Sequence, residues 1–422
     1  MNQNSIEIQT FGCKLNHYDS LLMQKSLNQV AFPKKVTILN SCAVTARVGK
    51  EIRKRAEKIK KLDSENFVVV VGCGAQVETH FYESTQAVDM VIGNSDRKNL
   101  KSLIEKFLSQ KKNQQKSFKS NIFKKSEIYS DFVLPPPDKT RAYLKIQEGC
   151  DSFCTFCIIP FARGKSKSLP YSFLIDSIHQ LEEKGIQEVV LTGVHIGDYR
   201  DGDKNLEGLI FHILKQSSIP RIRLTSLEPI EITPKLLECY QDERMCPHFH
   251  ISLQSTNSKV LSSMKRKYSQ KEVEQAFKRI TQYLPHAFIG MDIIVGFPTE
   301  TSQDFKESYQ LLRNHSWTNM HVFPYSPRQG TYSYFKYQAL DQKEVSRRAK
   351  LLRKLSEKRF CEKLKEQVGT TKKVLLFNKD NTKGLSRDYW KIKIPASQFK
   401  GEKQVKIIGA DYIESKLLAD TI

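Results

Sequence analysis

Residues 141–157 read Arg141-Ala-Tyr-Leu-Lys-Ile-Gln-Glu-Gly-Cys150-Asp-Ser-Phe-Cys154-Thr-Phe-Cys157, a mixed strand that runs directly into three closely spaced thiols. Three thiolates at C-x3-C-x2-C spacing can each hold one iron of a cubic 4Fe–4S cluster. The fourth iron is then left to a small chelating molecule. Structural zinc is the competing reading, but it takes four protein ligands and no fourth stands nearby. A chance group of buried cysteines is the other alternative, and a strand placed immediately before the thiols argues against it.

Working outward on the C-terminal side, strand-like and helix-like stretches alternate. Strands are expected at Arg141–Gln147, Glu188–Thr192, Arg221–Ser226, Phe249–Leu253, Ala287–Val295 and Met320–Tyr325. Helices are expected between them at Tyr171–Lys184, Leu206–Gln216, Thr233–Tyr240, Gln270–Tyr283 and Ser302–Asn314. Six such units predict a partial (β/α)6 barrel, in which chemistry collects at the C-terminal ends of the strands. Those ends carry polar text: Glu148-Gly149-Cys150, Thr192-Gly193-Val194-His195, Ser226-Leu227-Glu228-Pro229, Gln254-Ser255 and Gly296-Phe297-Pro298. A basic helix over Gln342–Gln367 is expected to cap the barrel.

On the N-terminal side, strands at Ile6–Gln9, Val36–Asn40, Phe67–Val71 and Met90–Ile92, with helices at Thr45–Lys61 and Asp96–Leu108, predict an open parallel α/β domain of flavodoxin or Rossmann type. Cys13, Cys42 and Cys73 each follow one of its first three strands. Ligands of open α/β sheets gather outside the carboxyl ends of the strands, so these three thiols can meet at one edge. From Lys106 to Lys125 there are seven lysines and no acid, followed by Pro135-Pro136-Pro137, which reads as a linker. The last 55 residues hold short strands at Lys372–Asn378, Trp390–Ile394 and Lys403–Ile408, with turns at Asn381–Gly384 and Lys400–Glu402. Strands without helices predict a small β-barrel. The expected domains are therefore 1–115, a linker 116–138, 139–367 and 368–422.

Lysine plus arginine exceed aspartate plus glutamate by 68 to 46, a formal charge of +22 that favours a polyanionic partner. No apolar run approaches the roughly 20 residues that span a bilayer. The first thirty residues, which include Asp19, do not read as a signal peptide, so a cytoplasmic protein without a membrane partner is expected. Nine cysteines in that compartment are not a disulfide framework, and Cys239, Cys246 and Cys361 have no ligand spacing.

The Cys150–Cys157 spacing resembles that of the radical S-adenosylmethionine (SAM) superfamily. The whole chain is similar to its methylthiotransferases, whose N-terminal domain holds a second three-cysteine cluster, matched here by Cys13, Cys42 and Cys73. Cys157-Ile-Ile-Pro-Phe-Ala-Arg-Gly164, His250-Ile-Ser-Leu-Gln-Ser255 and Asp292-Ile-Ile-Val-Gly-Phe-Pro298 carry further resemblance. The C-terminal segment resembles the family's RNA-binding TRAM domain. Two departures stand at Ser252-Leu-Gln-Ser-Thr256 and Met264-Lys-Arg-Lys-Tyr268, where the family usually has Pro-Leu-Gln-Ser-Gly and Met-Asn-Arg-Arg-Tyr. Phe11-Gly-Cys-Lys-Leu-Asn16, Leu191-Thr-Gly-Val-His-Ile-Gly197 and Val322-Phe-Pro-Tyr-Ser-Pro-Arg-Gln-Gly-Thr331 resemble the MtaB-type branch. That branch modifies N6-threonylcarbamoyladenosine at tRNA position 37. The alternatives are the branches acting on isopentenyladenosine or on a ribosomal-protein aspartate, or a non-catalytic iron–sulfur RNA-binding protein.

The resemblance implies two 4Fe–4S clusters, one on Cys150, Cys154 and Cys157 and an auxiliary one on Cys13, Cys42 and Cys73, together with SAM. It implies that no side chain acts as catalytic acid or base, since cluster and SAM carry the chemistry. Cofactor contacts are expected from Phe156, Arg163 (to a SAM carboxylate or an RNA phosphate) and Gly296. Substrate contacts are expected from Glu228 and from Arg387, Tyr389 and Trp390, which interleave charge with aromatic faces. His195, His248, His250 and His321 are read as packed or hydrogen-bonded rather than catalytic. The implied partners are the tRNA anticodon arm and an electron donor of flavodoxin or ferredoxin type, acting on a monomer.

Overall fold

A computed structural model describes residues 6–28, 30–44, 46–109, 115–124, 128, 131–136, 139–377, 382–395 and 401–421. The chain divides into two units: Met1–Val133 with Gln147–Leu169 and Arg328–Thr331, and Leu134–Ile146 with Pro170–Pro327 and Tyr332–Ile422. The segment Gln147–Leu169, which carries the C-x3-C-x2-C loop and was expected within the barrel domain, thus groups with the N-terminal unit.

In the first unit, β1 (Ile6–Thr10), β2 (Val36–Ser41), β3 (Phe67–Gly72), β4 (Met90–Gly93) and β5 (Ser117–Phe118) form one parallel sheet. Both faces of its middle strands are covered, which is why they read as unbroken apolar runs. Val36, Ile38, Val69 and Val71 pack with Met23, Leu27, Leu100 and Ile104 on one side. Leu39, Val68 and Val70 pack with Ile52, Ala56 and Tyr82 on the other. The sheet is open and parallel as expected, but its order runs β1-β2-β3-β4-β5, without the strand-order reversal of Rossmann or flavodoxin sheets. The expected linker also needs correction. Its Ser117–Phe118 adds a fifth strand to β4, and Phe118 packs against the core. A lysine-rich composition had suggested solvated chain, yet backbone pairing is indifferent to its neighbours' charge, and Lys116 donates to the carbonyls of Glu83 and Thr85. A helix the sequence reading omitted, Lys14–Ser26, follows Cys13 directly and buries Leu15, Tyr18, Leu22 and Met23 along one stripe.

In the second unit, the six barrel strands are Arg141–Lys145, Glu188–Thr192, Arg221–Leu224 with its continuation Ser226–Leu227, His248–Gln254, Phe288–Val295 and Asn319–Pro324. They pair in parallel as a three-stranded and a four-stranded sheet. Along His248–Gln254, Phe249, Ile251 and Leu253 are buried while His250, Ser252 and Gln254 are less so, the period-two signature of a strand with two unlike faces. Local chemistry starts the helices. Ser269 with Glu272 and Thr301 with Asp304 form capping boxes for Gln270–Tyr283 and Ser302–Asn314, whose limits match those read from the sequence.

The last residues close a five-stranded barrel from Thr371–Leu376, Lys383–Ser386, Lys391–Lys393, Glu402–Asp411 and Lys416–Thr421. Lys383 and Gly384, expected in a turn, are strand residues paired with Lys393 and Ile392, while Asn381 and Lys400 lie outside the described residues. Buried arginines hook this barrel to the strands of the same unit. Arg221 donates to the carbonyls of Leu385 and Ser386, and Arg223 to those of Ser386 and Arg387. Glu188, fully buried, accepts from Arg141, Arg221 and Arg223 at 2.8–3.1 Å.

Candidate active site

The three N-terminal cysteines sit where β1, β2 and β3 end. Cys13 caps the helix Lys14–Ser26, Cys42 follows β2, and Cys73 opens the short helix Cys73–Val77. Gly12 allows the first two loops to meet: with φ +103°, a Cβ there would lie 2.5 Å from Cβ and 2.8 Å from Sγ of Cys42. None of the three is in a disulfide; Cys42 and Cys73 are buried and Cys13 is exposed. Burial pushes the Cys42 thiol up to about 11, opposed by the Val44 N–H and reinforced by the nearby Cys73 and Cys13. Burial raises Cys73 too, and the Arg163 guanidinium opposes it. N–H groups point at sulfur: Arg163 Nε lies 3.1 Å and Asn94 Nδ2 3.4 Å from Cys73 Sγ, and Val44 N lies 3.5 Å from Cys42 Sγ. Neighbouring thiols outside any disulfide and met by N–H donors suit thiolates on an iron–sulfur cluster, whose sulfurs are tuned by such bonds.

The second cysteine set occupies a pinned loop. Gly149 (φ +77°) is obligatory, because a Cβ would fall 1.9 Å from the Lys165 carbonyl oxygen. The Gln147 amide donates to the Gly149 carbonyl and to Ser166 Oγ, and Cys150 N–H donates to the Gly164 carbonyl. Cys157 N–H bonds the Cys154 carbonyl at 3.0 Å, closing a turn that holds Thr155 and Phe156. Ser152 N lies 3.4 Å from Cys150 Sγ. Three thiols on one tight loop, with a backbone N–H on sulfur and no fourth protein thiol in the motif, again fit a cluster with one open iron.

A buried polar network that the sequence reading did not foresee surrounds Cys73. Arg163 contacts Glu148 Oε1 (2.9 Å), Asn16 Oδ1 (2.6 Å) and Asp19 Oδ2 (2.8 Å), and Arg97 reaches the same Asp19 oxygen at 2.7 Å. Arg163 is therefore committed inside the protein, which corrects its assignment to a SAM carboxylate or an RNA phosphate. Asn16 and Asp19 carried a usable signal. They are polar residues three apart on the helix begun by Cys13, on the stripe that also holds buried Leu15 and Tyr18.

The other expected contacts lie in the second unit. Glu228 is buried against Arg266 (2.8 Å), with His195 at 3.5 Å; burial raises its carboxyl and Arg266 opposes the rise. It thus holds Arg266, a residue of the divergent Met264–Tyr268 stretch, and Tyr268 in turn donates to the Ser252 carbonyl. Gly296 (φ +75°) donates its N–H to Glu300, and a Cβ there would strike Val345 at 2.6 Å, so its smallness serves helix packing rather than the ligand approach expected. Arg387, Tyr389 and Trp390 are a second correction. Trp390 is a core residue of the terminal barrel, Tyr389 stacks on His248 at 3.8 Å, and Arg387 is clamped by Glu402. A run that mixes charge with aromatic rings reads alike whether it packs inward or faces RNA, and here it forms the turn between the strands Lys383–Ser386 and Lys391–Lys393. Among the histidines, His250 and His321 share the Asp292 carboxylate (2.9 and 3.1 Å), a cluster the sequence reading did not assemble, and His195 lies 2.5 Å from Glu231.

Comparison with known proteins places these features. Residues 144–312 match the family model described as the radical SAM superfamily, and residues 5–93 match uncharacterized protein family UPF0004. The chain is 33% identical to threonylcarbamoyladenosine tRNA methylthiotransferase MtaB of Aquifex aeolicus, over 92% of its own length and 96% of the relative's. It is 36% identical to the protein of the same name from Rickettsia prowazekii, over 88% and 87%. Among solved structures, the radical SAM methyltransferase TsrM of Kitasatospora setae shares the fold at a TM-score of 0.62 and 11% identity, covering 79% of this chain and 77% of that one.

Proposed function

The chain belongs to the radical SAM methylthiotransferases of the MtaB type, and we propose that it attaches a methylthio group to C2 of N6-threonylcarbamoyladenosine at position 37 of tRNA. The observation that carries this reading is the pair of three-cysteine sets, each outside any disulfide and each met by N–H donors at sulfur. The enzyme uses two 4Fe–4S clusters and SAM. Cys150, Cys154 and Cys157 would hold one cluster, and Cys13, Cys42 and Cys73 the other. Bound there, these groups supply one-electron reduction, hydrogen abstraction from an unactivated carbon and a transferable sulfur, chemistry beyond any side chain.

The residues of the chain have supporting tasks. Gly12 lets its loop approach Cys42, Gly149 lets the second cysteine loop pack on the Lys165 carbonyl, and the Val44, Asn94, Ser152 and Arg163 N–H groups stabilise charge on sulfur. Glu228, held by Arg266, remains a substrate-facing candidate, and the Phe156 backbone a SAM-facing one. The charge of +22 supports tRNA as the polyanion. With Trp390 buried, Tyr389 stacked on His248 and Arg387 paired with Glu402, the exposed Lys391, Lys393 and Lys406 of the terminal barrel are the better candidates for phosphate contact. No described helix is long and apolar enough to cross a membrane. On this reading the protein is a cytoplasmic monomer served by a flavodoxin- or ferredoxin-type donor.

The test is mass spectrometry of tRNA nucleosides from cells with and without the protein. Loss of the methylthio-threonylcarbamoyl nucleoside alone supports the reading. Loss of a methylthio-isopentenyl nucleoside instead moves the protein to the neighbouring branch.

A further inference from the structure

We propose that Arg163 is a positioning residue of the auxiliary cluster, tuning it through a hydrogen bond from Nε to Cys73 Sγ. The inference rests on the assignment of Cys13, Cys42 and Cys73 as the ligands of that cluster. Arg163 lies six residues after Cys157, at the end of the short helix Ile159–Arg163, yet its side chain is directed at the other cysteine set. It is 5% exposed, and its three nitrogens are each spent on a different partner: Nε on Cys73 (3.1 Å), Nη1 on Glu148 (2.9 Å), Nη2 on Asn16 and Asp19 (2.6 and 2.8 Å). A planar guanidinium held at Nη1 and Nη2 has its Nε–H direction fixed. The sulfur is therefore met by a donor that cannot swing away.

The network closes on itself. Asp19 also pairs with Arg97 at 2.7 Å, Arg97 donates to Asn94 Oδ1 at 3.0 Å, and Asn94 Nδ2 returns to Cys73 Sγ at 3.4 Å. Cys73 thus receives two donors, both anchored to Asp19. Such redundancy around one buried sulfur exceeds what packing a thiol requires. Hydrogen bonds to ligand sulfur raise a cluster's reduction potential, because they favour the more negative reduced state. Glu148 stands two residues before Cys150, so the same guanidinium also ties the auxiliary set to the loop of the other cluster.

The test uses the full chain with Cys150, Cys154 and Cys157 replaced by alanine, reconstituted with iron and sulfide so that only the auxiliary cluster reports. A potentiometric titration followed by electron paramagnetic resonance compares this parent with the same chain carrying Arg163→Gln. At the parent's midpoint potential, the reduced-to-oxidised ratio is expected to fall about tenfold, which is 59 mV for a one-electron couple. An R163Q protein with a full complement of iron and an unchanged midpoint overturns the inference while leaving the ligand assignment standing. A parent that binds no cluster overturns the ligand assignment, and the inference with it. Should R163Q fail to fold, the parent labelled with 15N at arginine Nε decides. Pulsed resonance on the reduced cluster is expected to show a coupled nitrogen, and its absence overturns the proposal.

Discussion

Replacing Glu188 by glutamine removes a single charge from the centre of the second unit and leaves three guanidiniums facing an uncharged amide. Glu188, Arg221 and Arg223 are fully buried, whereas the Arg141 side chain is 23% exposed and can be hydrated. Arg221 keeps Glu402 at 2.9 Å, and both buried arginines keep their carbonyl acceptors on the terminal barrel. Stripping one partner from a buried ion pair costs about 3–5 kcal/mol, because the remaining charge stays desolvated. The retained partners place E188Q near the lower end, about 3 kcal/mol. For a unit of this size that corresponds to a drop in Tm of roughly 6–12 °C. Differential scanning calorimetry would measure it, and hydrogen exchange should show faster opening at Leu385–Arg387, where Arg221 and Arg223 attach. The pH dependence has a definite sign. Burial alone would raise the Glu188 carboxyl, but Arg223, Arg141 and Arg221 hold it well below the usual carboxylate range. Its stabilisation is thus complete above about pH 4.3, the unfolded value, and is lost as pH falls below that toward the folded value. E188Q should therefore show the weaker acid sensitivity. A Tm within about 1 °C of the parent at neutral pH would refute the reasoning, since the three arginines would then need no counter-charge.

Cys73→Ala should halve the iron content after reconstitution yet leave SAM cleavage by the reduced protein in place, whereas Cys154→Ala should abolish cleavage; iron analysis and a 5′-deoxyadenosine assay distinguish them. Gly12→Ala places a Cβ against Cys42 and demands a left-handed backbone, so it should lower auxiliary iron loading and cost about 1–3 kcal/mol in a urea melt. Wild-type loading in that variant would show that the two loops can separate freely. Trp390→Ala should destabilise the terminal barrel by about 3–5 kcal/mol, the cost of emptying a core site of that size. The milder Trp390→Phe should leave tRNA affinity unchanged. Lys391→Glu with Lys393→Glu should weaken tRNA binding and reduce the salt slope by about 1 for each phosphate no longer neutralised, read from filter binding at several ionic strengths.

Certain features are written locally, and the amino-acid order is enough for them. The spacing of Cys150, Cys154 and Cys157 is a matter of a few bonds, so the resemblance it carries to the radical SAM superfamily is readable without coordinates. The helices Gln270–Tyr283 and Ser302–Asn314 begin at capping residues three positions from their partners, and the barrel strands announce themselves by apolar runs of strand length. The placement of Cys13, Cys42 and Cys73 was legible because each follows a strand, and parallel strands deliver their ends to one edge.

What depends on long-range assembly was not legible. Asp19 and Arg163 are 144 positions apart, and nothing near either residue says that one carboxylate will anchor two arginines around Cys73. Arg163 looked like a ligand contact because a cation beside a cysteine motif has many possible partners; only burial reveals which it took. Tyr389 and Trp390 misled for the same reason in reverse, since an aromatic ring suits a barrel core and an RNA surface equally well until the packing of the turn that carries it is known. Ser117–Phe118 became a strand because β4 offered an unpaired edge, a property of its neighbour rather than of its own lysine-rich surroundings. Spacing and periodicity follow from covalent geometry, so the cofactor class and most elements could be read from residue order. Strand order, burial and the partners of charged groups follow from what the chain meets after it folds, and they became readable only once distant segments had packed together.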